Sequence, residues 1–208
     1  MTFLKRFIAK KLRQDIWDTF NWEIDPEERI ENVCFVVFDT ETTGLDLKKD
    51  EPISIGAVKI EGLRIDLSKS YYALIKPTGK YGDSVKVHGI TPHKLERAKD
   101  GKEVCLDFLK YARGCILSGY FVHIDVAMLK KLVEGECGGI FYPPTLDLLD
   151  MIEKKDKIPT LEELLKSYKM PTSVFHNALE DAYMTALLLL RFLKEIKHSR
   201  VKDLPLRF

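Results

Sequence analysis

The chain has 208 residues, 45% of them hydrophobic and 31% charged, with 9 prolines and 12 glycines. That balance supports one compact domain with some chain left over, and it excludes a disordered or collagen-like polymer. Basic residues number 33 and acidic ones 32, for a net charge of +1. A general affinity for nucleic acid across the surface is thereby excluded, so any such contact must be local or bridged by metal.

In chain order, the first segment places Leu4, Phe7, Ile8, Leu12 and Ile16 at helical spacing. Lys5, Arg6, Lys10, Lys11 and Arg13 fall largely on the opposite face. This basic helix reads as a solvated face, a docking element or an extra nucleic-acid contact. Asp25-Pro26 reads as a helix start. Val33–Phe38, continuous and apolar, predicts a central buried strand, with further strands at Ile53–Ile60 and Tyr71–Ile75 joined by a hairpin near 61–66. Thr91-Pro92 opens a short helix with Thr91 as cap. A helix follows at Lys102–Ala112, then a strand at Cys115–Gly119 and a helix from Asp125 to Val133. Thr160 and Glu163 form a capping box before a helix reaching Tyr168. The last helix spans Ala178–Ile196.

Early strands followed by strand and helix alternation fit an α/β mixed sheet with helices on its faces. The expected division is an N-terminal helical extension over 1–30, one domain over 31–197 and a C-terminal tail over 198–208. Cys34, Cys105, Cys115 and Cys137 form no C-x-x-C pair and no zinc spacing, and are expected as buried free thiols in a reducing compartment. The longest apolar run, Ala186–Leu190, stops at Arg191, too short to span a bilayer. Met1–Gln14 is amphipathic and free of acids, yet poor in serine for a transit peptide, so the cytoplasm is the expected compartment.

Chemistry concentrates at Asp39-Thr40-Glu41-Thr42-Thr43-Gly44, at the carboxyl end of the central strand. Strand side chains alternate, so Asp39 and Glu41 point the same way. Two neighbouring carboxylates repel unless a cation lies between them, and Mg²⁺ favours such oxygen ligands. Asp125 opens a helix, and Asp181 lies near the start of the last one, five residues after His176. An imidazole that titrates near neutral pH can serve as a base beside such a centre.

Asp39-Thr-Glu-Thr-Thr-Gly-Leu, Gly119-Tyr-Phe-Val-His-Ile-Asp125 and His176-Asn-Ala-Leu-Glu-Asp181 together resemble the three motifs of the DEDDh 3′→5′ exonucleases, which include DNA polymerase III epsilon subunits and RNase T-like enzymes. Ile55-Gly56-Ala57-Val58, Val87-His88-Gly89-Ile90-Thr91 and Thr145-Leu146-Asp147 support it, and the resemblance covers about residues 33–194. It implies a ribonuclease H-like fold with a five-stranded mixed sheet flanked by helices. It further implies two divalent ions, Mg²⁺ or Mn²⁺, held by Asp39, Glu41, Asp125 and Asp181, with His176 as catalytic base. Thr42 and Leu45 resemble positions beside the 3′-terminal nucleotide.

The expected reaction removes nucleoside 5′-monophosphates from single-stranded 3′ ends, with DNA favoured. RNA trimming and a polymerase-accessory binding role are the alternatives, and a DNA polymerase could dock on the N-terminal helix. Many relatives read Gly-His-Asn where this chain reads Gly119-Tyr120-Phe121. Phe121 could stack on a base or pack in the core. His123 matches no family position and reads as structural, and His88 as a turn-ordering residue.

Overall fold

The structure, a computed structural model, describes residues 23–79, 84–138, 141–152, 157–172 and 176–207. The basic helix expected at the N-terminus lies outside the described residues. Strand β1 (Phe35–Thr42) forms where the apolar run predicts it, with Phe35, Val36, Val37 and Phe38 all buried. Both of its sheet faces are covered, which is why this strand shows no polar alternation at its start.

β1 pairs antiparallel with β2 (Pro52–Glu61). The outer edge of β2 is shared by β3 (Arg64–Ile65) and β4 (Tyr71–Leu74). Gly62 and Leu63, both with positive φ, make the tight turn between β2 and β3. On the other side β1 runs parallel to β5 (Ile116–Gly119), which runs parallel to β6 (Thr145–Asp147). The mixed sheet is therefore five strands wide, its outermost place on one edge being split between β3 and β4.

Among the described residues six α-helices follow in chain order: α1 (Val85–His88), α2 (Pro92–Leu95), α3 (Gly101–Ala112), α4 (His123–Leu132), α5 (Leu161–Ser167) and α6 (Ala178–Glu195). The Thr160–Glu163 capping box starts α5, with N···O distances of 2.7 and 3.1 Å. Strand alternation sorts the core. Val36 and Phe38 pack with Phe108 of α3 and Leu129 of α4 on one face. Phe35 and Val37 pack with Leu165 of α5 and Leu189 of α6 on the other.

Asp25-Pro26 does not start a helix. The Asp25 carboxylate accepts the Glu27 N–H at 2.9 Å, and the following backbone pairs with the C-terminal segment. Lys202 N–H donates to Pro26 O, Val201 N–H to Glu28 O, and Ile30 N–H to Ser199 O. Those long-range bonds take the groups that a helix would have used. Residues 198–207 thus pack on the domain: Val201 and Leu204 are buried, and Arg207 exchanges two backbone hydrogen bonds with Thr145.

The cysteines also correct the sequence reading, because they form two disulfides, Cys34–Cys115 and Cys105–Cys137. Spacing along the chain hid this. Cys34 and Cys115 precede the adjacent parallel strands β1 and β5, whose register pairs Phe35 with Ile116, and this brings their Cα atoms to 4.5 Å. Cys105 of α3 meets Cys137 beyond the end of α4 at 6.6 Å. The bridges span 81 and 32 residues of chain. Each is expected to add about 2–4 kcal/mol, so full reduction should lower the melting temperature by roughly 10 °C or more. An unchanged Tm after complete reduction, with both thiol pairs titrated, would refute a stabilising role. Among the described residues, no helix is long and apolar enough to cross a membrane.

Candidate metal centre

The site grows from one cross-strand row. Asp39 pairs with Gly56 and Glu41 with Ser54, so both acids stand on the sheet face that α6 covers. Gly56 is the reason α6 can begin there. A Cβ on Gly56 would lie 2.1 Å from the Leu179 nitrogen and 2.2 Å from the Ala178 carbonyl carbon. The missing side chain is a notch into which the start of the helix drops. Asn177 caps that start by accepting the Leu179 and Glu180 N–H groups.

Asp181, in the first turn of α6, is thereby laid beside the strand acids. Carboxylate oxygens of Asp39, Glu41 and Asp181 lie within 4.8 Å of one another. Asp181 Oδ2 accepts the His176 backbone N–H at 3.0 Å, while its Oδ1 is buried without a hydrogen-bond partner among the described residues. Three converging acids and an orphaned buried oxygen fit a hard divalent cation, which takes oxygen ligands and offsets their repulsion.

Asp125 stands beside this trio rather than within it. Its Oδ1 accepts the Thr40 N–H at 2.9 Å and the Thr40 hydroxyl at 2.7 Å, which ties the first turn of α4 to β1. Its charge still bears on both strand acids. Burial drives the Asp39 carboxyl well above its usual range, and the charges of Asp125, Asp181 and Glu41 add to this. Burial, then Asp181 and Asp125, raise Glu41 to about 7. Burial raises Asp125 to about 7 against the opposing Thr40 hydrogen bonds. Asp181 is also raised by burial, with the His176 backbone bond opposing.

These directions set a pH dependence. Folded Glu41 and Asp125 keep protons that an unfolded chain loses between the ordinary carboxylate range and about 7. The folded state binds more protons there, so metal-free stability falls as pH rises through that window. Melting in chelator is therefore expected to occur at lower temperature at about pH 8 than at about pH 5.5, and Mn²⁺ should raise Tm by several degrees at the higher pH but little at the lower. A flat Tm across that range, with or without Mn²⁺, would contradict the clustering.

The remaining expected residues take varied places. The Thr42 hydroxyl donates to Gly44 O at 2.6 Å, and Leu45 projects into solvent with 86% of its surface exposed. The loop between them and β2 is closed by Asp50, which accepts from the Thr43 hydroxyl and the Asp46 N–H, while Lys131 donates to its carbonyl. A Cβ on Gly44 would meet the Asp50 carboxylate at 2.5 Å, so this glycine serves a contact within the loop rather than a sharp turn.

His176 is exposed and has φ +73°, just before α6. Phe121 is half-buried with φ +57° and packs against Tyr120 and His123. His123 is not among the clustered acids; it lines a cleft of about 270 Å³ between α4 and the Phe141–Pro143 segment. His88 orders its turn by accepting the Ile90 N–H on Nδ1 at 3.0 Å.

Two site residues had no role assigned from sequence. Ser54 faces Glu41 across the strands, and Tyr72, half-exposed, pairs with Gly56 and so completes the Asp39 row. Gly56 itself was legible only as a glycine inside a strand pattern, which signals close backbone approach without saying by what.

The exonuclease family model RNase_T matches residues 36–189. The DNA polymerase III PolC-type protein of Thermotoga petrophila is 33% identical over 86% of this chain, which spans 13% of that protein. The DNA polymerase III subunit epsilon of Aquifex aeolicus is 31% identical, covering 78% of this chain and 81% of its own. Among solved structures, E. coli Exonuclease I in complex with a dT13 oligonucleotide superposes with a TM-score of 0.64 at 20% identity, over 79% of this chain and 42% of that one.

Proposed function

The chain belongs to the exonuclease family, and we propose that it hydrolyses phosphodiester bonds one at a time from the 3′ end of single-stranded DNA, releasing nucleoside 5′-monophosphates. The observation that carries this reading is the convergence of Asp39, Glu41 and Asp181 within 4.8 Å. In this reading Asp39, Glu41, Asp125 and Asp181 hold two Mg²⁺ or Mn²⁺ ions. Bound divalent ions would lower the pKa of water and offset charge on the departing oxygen.

The chain's own groups do the rest. His176 accepts the proton of the attacking water, from a position its backbone shares with Asp181. Thr42 sits beside the terminal sugar and Leu45 against its base. The Leu45 side chain, 86% exposed, leaves its apolar surface open to a base. Phe121 offers a stacking surface for a base. The DNA polymerase relatives and the oligonucleotide bound by Exonuclease I favour a DNA 3′ end as substrate and a polymerase as partner. The basic N-terminal segment is the docking element we propose for it. The proposed compartment is the cytoplasm.

The test uses 5′-labelled single strands of DNA and RNA of matched sequence, with Mg²⁺, Mn²⁺ or chelator. A ladder shortening from the 3′ end of DNA, abolished by chelator, is the expected result. Two intact strands would end the nuclease reading, and loss of RNA alone would reassign the substrate. His176→Ala should lower kcat by about 10²- to 10⁴-fold while the Tm gain on adding Mn²⁺ persists, because the backbone N–H that holds Asp181 remains.

A further inference from the structure

Asp147 is an acid that the reaction above does not use, and its surroundings are unusual for a merely structural carboxylate. It ends β6, in register with Gly119 of β5, and its side chain is 1% exposed. Oδ1 accepts two backbone N–H groups, those of Phe121 and Leu149, each at 3.1 Å. Oδ2 is buried without a hydrogen bond. Among the described residues its nearest cation is Arg207 Nη1 at 3.6 Å, and that guanidinium already donates through Nε and Nη2 to Asp150 at 2.7 and 2.6 Å. Burying a carboxylate so incompletely paired is costly. Capping the short turn at Leu149 accounts for only one of the two N–H groups that Oδ1 accepts.

The second N–H explains more. Phe121 holds a left-handed backbone, an uncommon and costly conformation for a bulky residue. Two residues later α4 begins, and Asp125 lies in its first turn. The chain is folded tightly here: Ile124 N–H donates to Phe121 O, and a Cβ on Gly119 would meet Val122 Cγ2 at 2.7 Å. From that turn Asp125 reaches across to Thr40, next to Asp39.

We infer that Asp147 is a positioning residue for the metal centre, clamping Phe121 in its left-handed turn and so fixing where α4 starts and where Asp125 stands. The inference deepens the proposed nuclease function and rests on it for its kinetic readout. The clamp acts on the backbone, so its effect must depend on the residue at position 121. Glycine adopts a positive φ without penalty and would need no clamp.

The experiment measures Mn²⁺-dependent DNA hydrolysis, and Mn²⁺ binding by calorimetry, below the melting temperature of each variant. Asp147→Ala is expected to raise the Mn²⁺ concentration for half-maximal rate by about tenfold or more, and Asp147→Asn, which can still accept both N–H groups, to recover most of the loss. In a Phe121→Gly background, adding Asp147→Ala should change that concentration by less than about threefold. Lower Tm with unchanged Mn²⁺ dependence in Asp147→Ala overturns the inference, as does a full tenfold effect in the glycine background. Should Asp147→Ala alone fail to fold, the comparison within the Phe121→Gly background decides. Should the wild-type chain hydrolyse nothing, the nuclease reading falls, and calorimetric Mn²⁺ affinity of the same variants still settles the role of Asp147.

Discussion

Asp39→Asn is expected to abolish turnover, by about 10³-fold or more, and at the same time to raise the melting temperature of the metal-free protein at about pH 8. The two effects share one cause. Asp39 is half-buried on the central strand, with Asp125, Asp181 and Glu41 all acting to raise its pKa. In the absence of a cation its charge is repelled from three directions and partly shielded from water, so removing that charge relieves the fold. With a cation the same carboxylate is a ligand that asparagine replaces poorly, since the amide carries no charge and its nitrogen donates instead of accepting. The measurements are single-turnover hydrolysis of a labelled strand in Mg²⁺ and thermal melting in chelator. A variant that hydrolyses normally, or that melts lower without metal, would show the acids to be structural.

Gly56→Ala is the second change with a large expected effect, although it adds only one methyl group to a residue that carries no chemistry. That methyl would stand 2.1 Å from Leu179 N and 2.4 Å from Leu179 Cα, both backbone atoms of a long helix that cannot swing aside as a side chain can. Overpacking of a core costs about 1–3 kcal/mol, and a clash with helix backbone belongs at or above the upper end. The helix must lift from the sheet, and Asp181 lies two residues beyond the contact. Activity should fall by about 10²-fold or more, with a weaker Mn²⁺ dependence and a Tm lower by roughly 5 °C or more. Gly135→Ala is the control, because a Cβ there meets nothing within 4 Å. Equal behaviour of the two variants in Tm and turnover would show that Gly56 is not the seat of α6.

Much of the site was legible because its signals are local. Period-two alternation puts Asp39 and Glu41 on one face without any knowledge of the fold. The Thr160 capping box and the Thr91 cap announce helices through bonds that reach only three residues. The parts that were not legible are those whose partner lies far along the chain. Asp25-Pro26 carries a sound local helix signal, yet Pro26 O is taken by Lys202 N–H, and Glu28 and Ile30 just after it pair with Val201 and Ser199. Asp147 and Phe121 are 26 residues apart in sequence, and nothing in either one's neighbourhood announces that a carboxylate holds that turn.

The sequence by itself determined most of the main elements, though not the edge strand β6, together with the pairing of Asp39 with Glu41 and the identity of the acids and histidine available to the site, because propensity, capping and alternation act over a few residues. Tertiary structure alone decided that α6 settles into the Gly56 notch and brings Asp181 to the strand acids, while Asp125 is held one step aside by Thr40. It also decided that the cysteines pair, since the parallel register of β1 and β5 is what sets Cys34 against Cys115. Packing of one element on another fixes such distances, and packing depends on contacts between residues that local sequence does not relate.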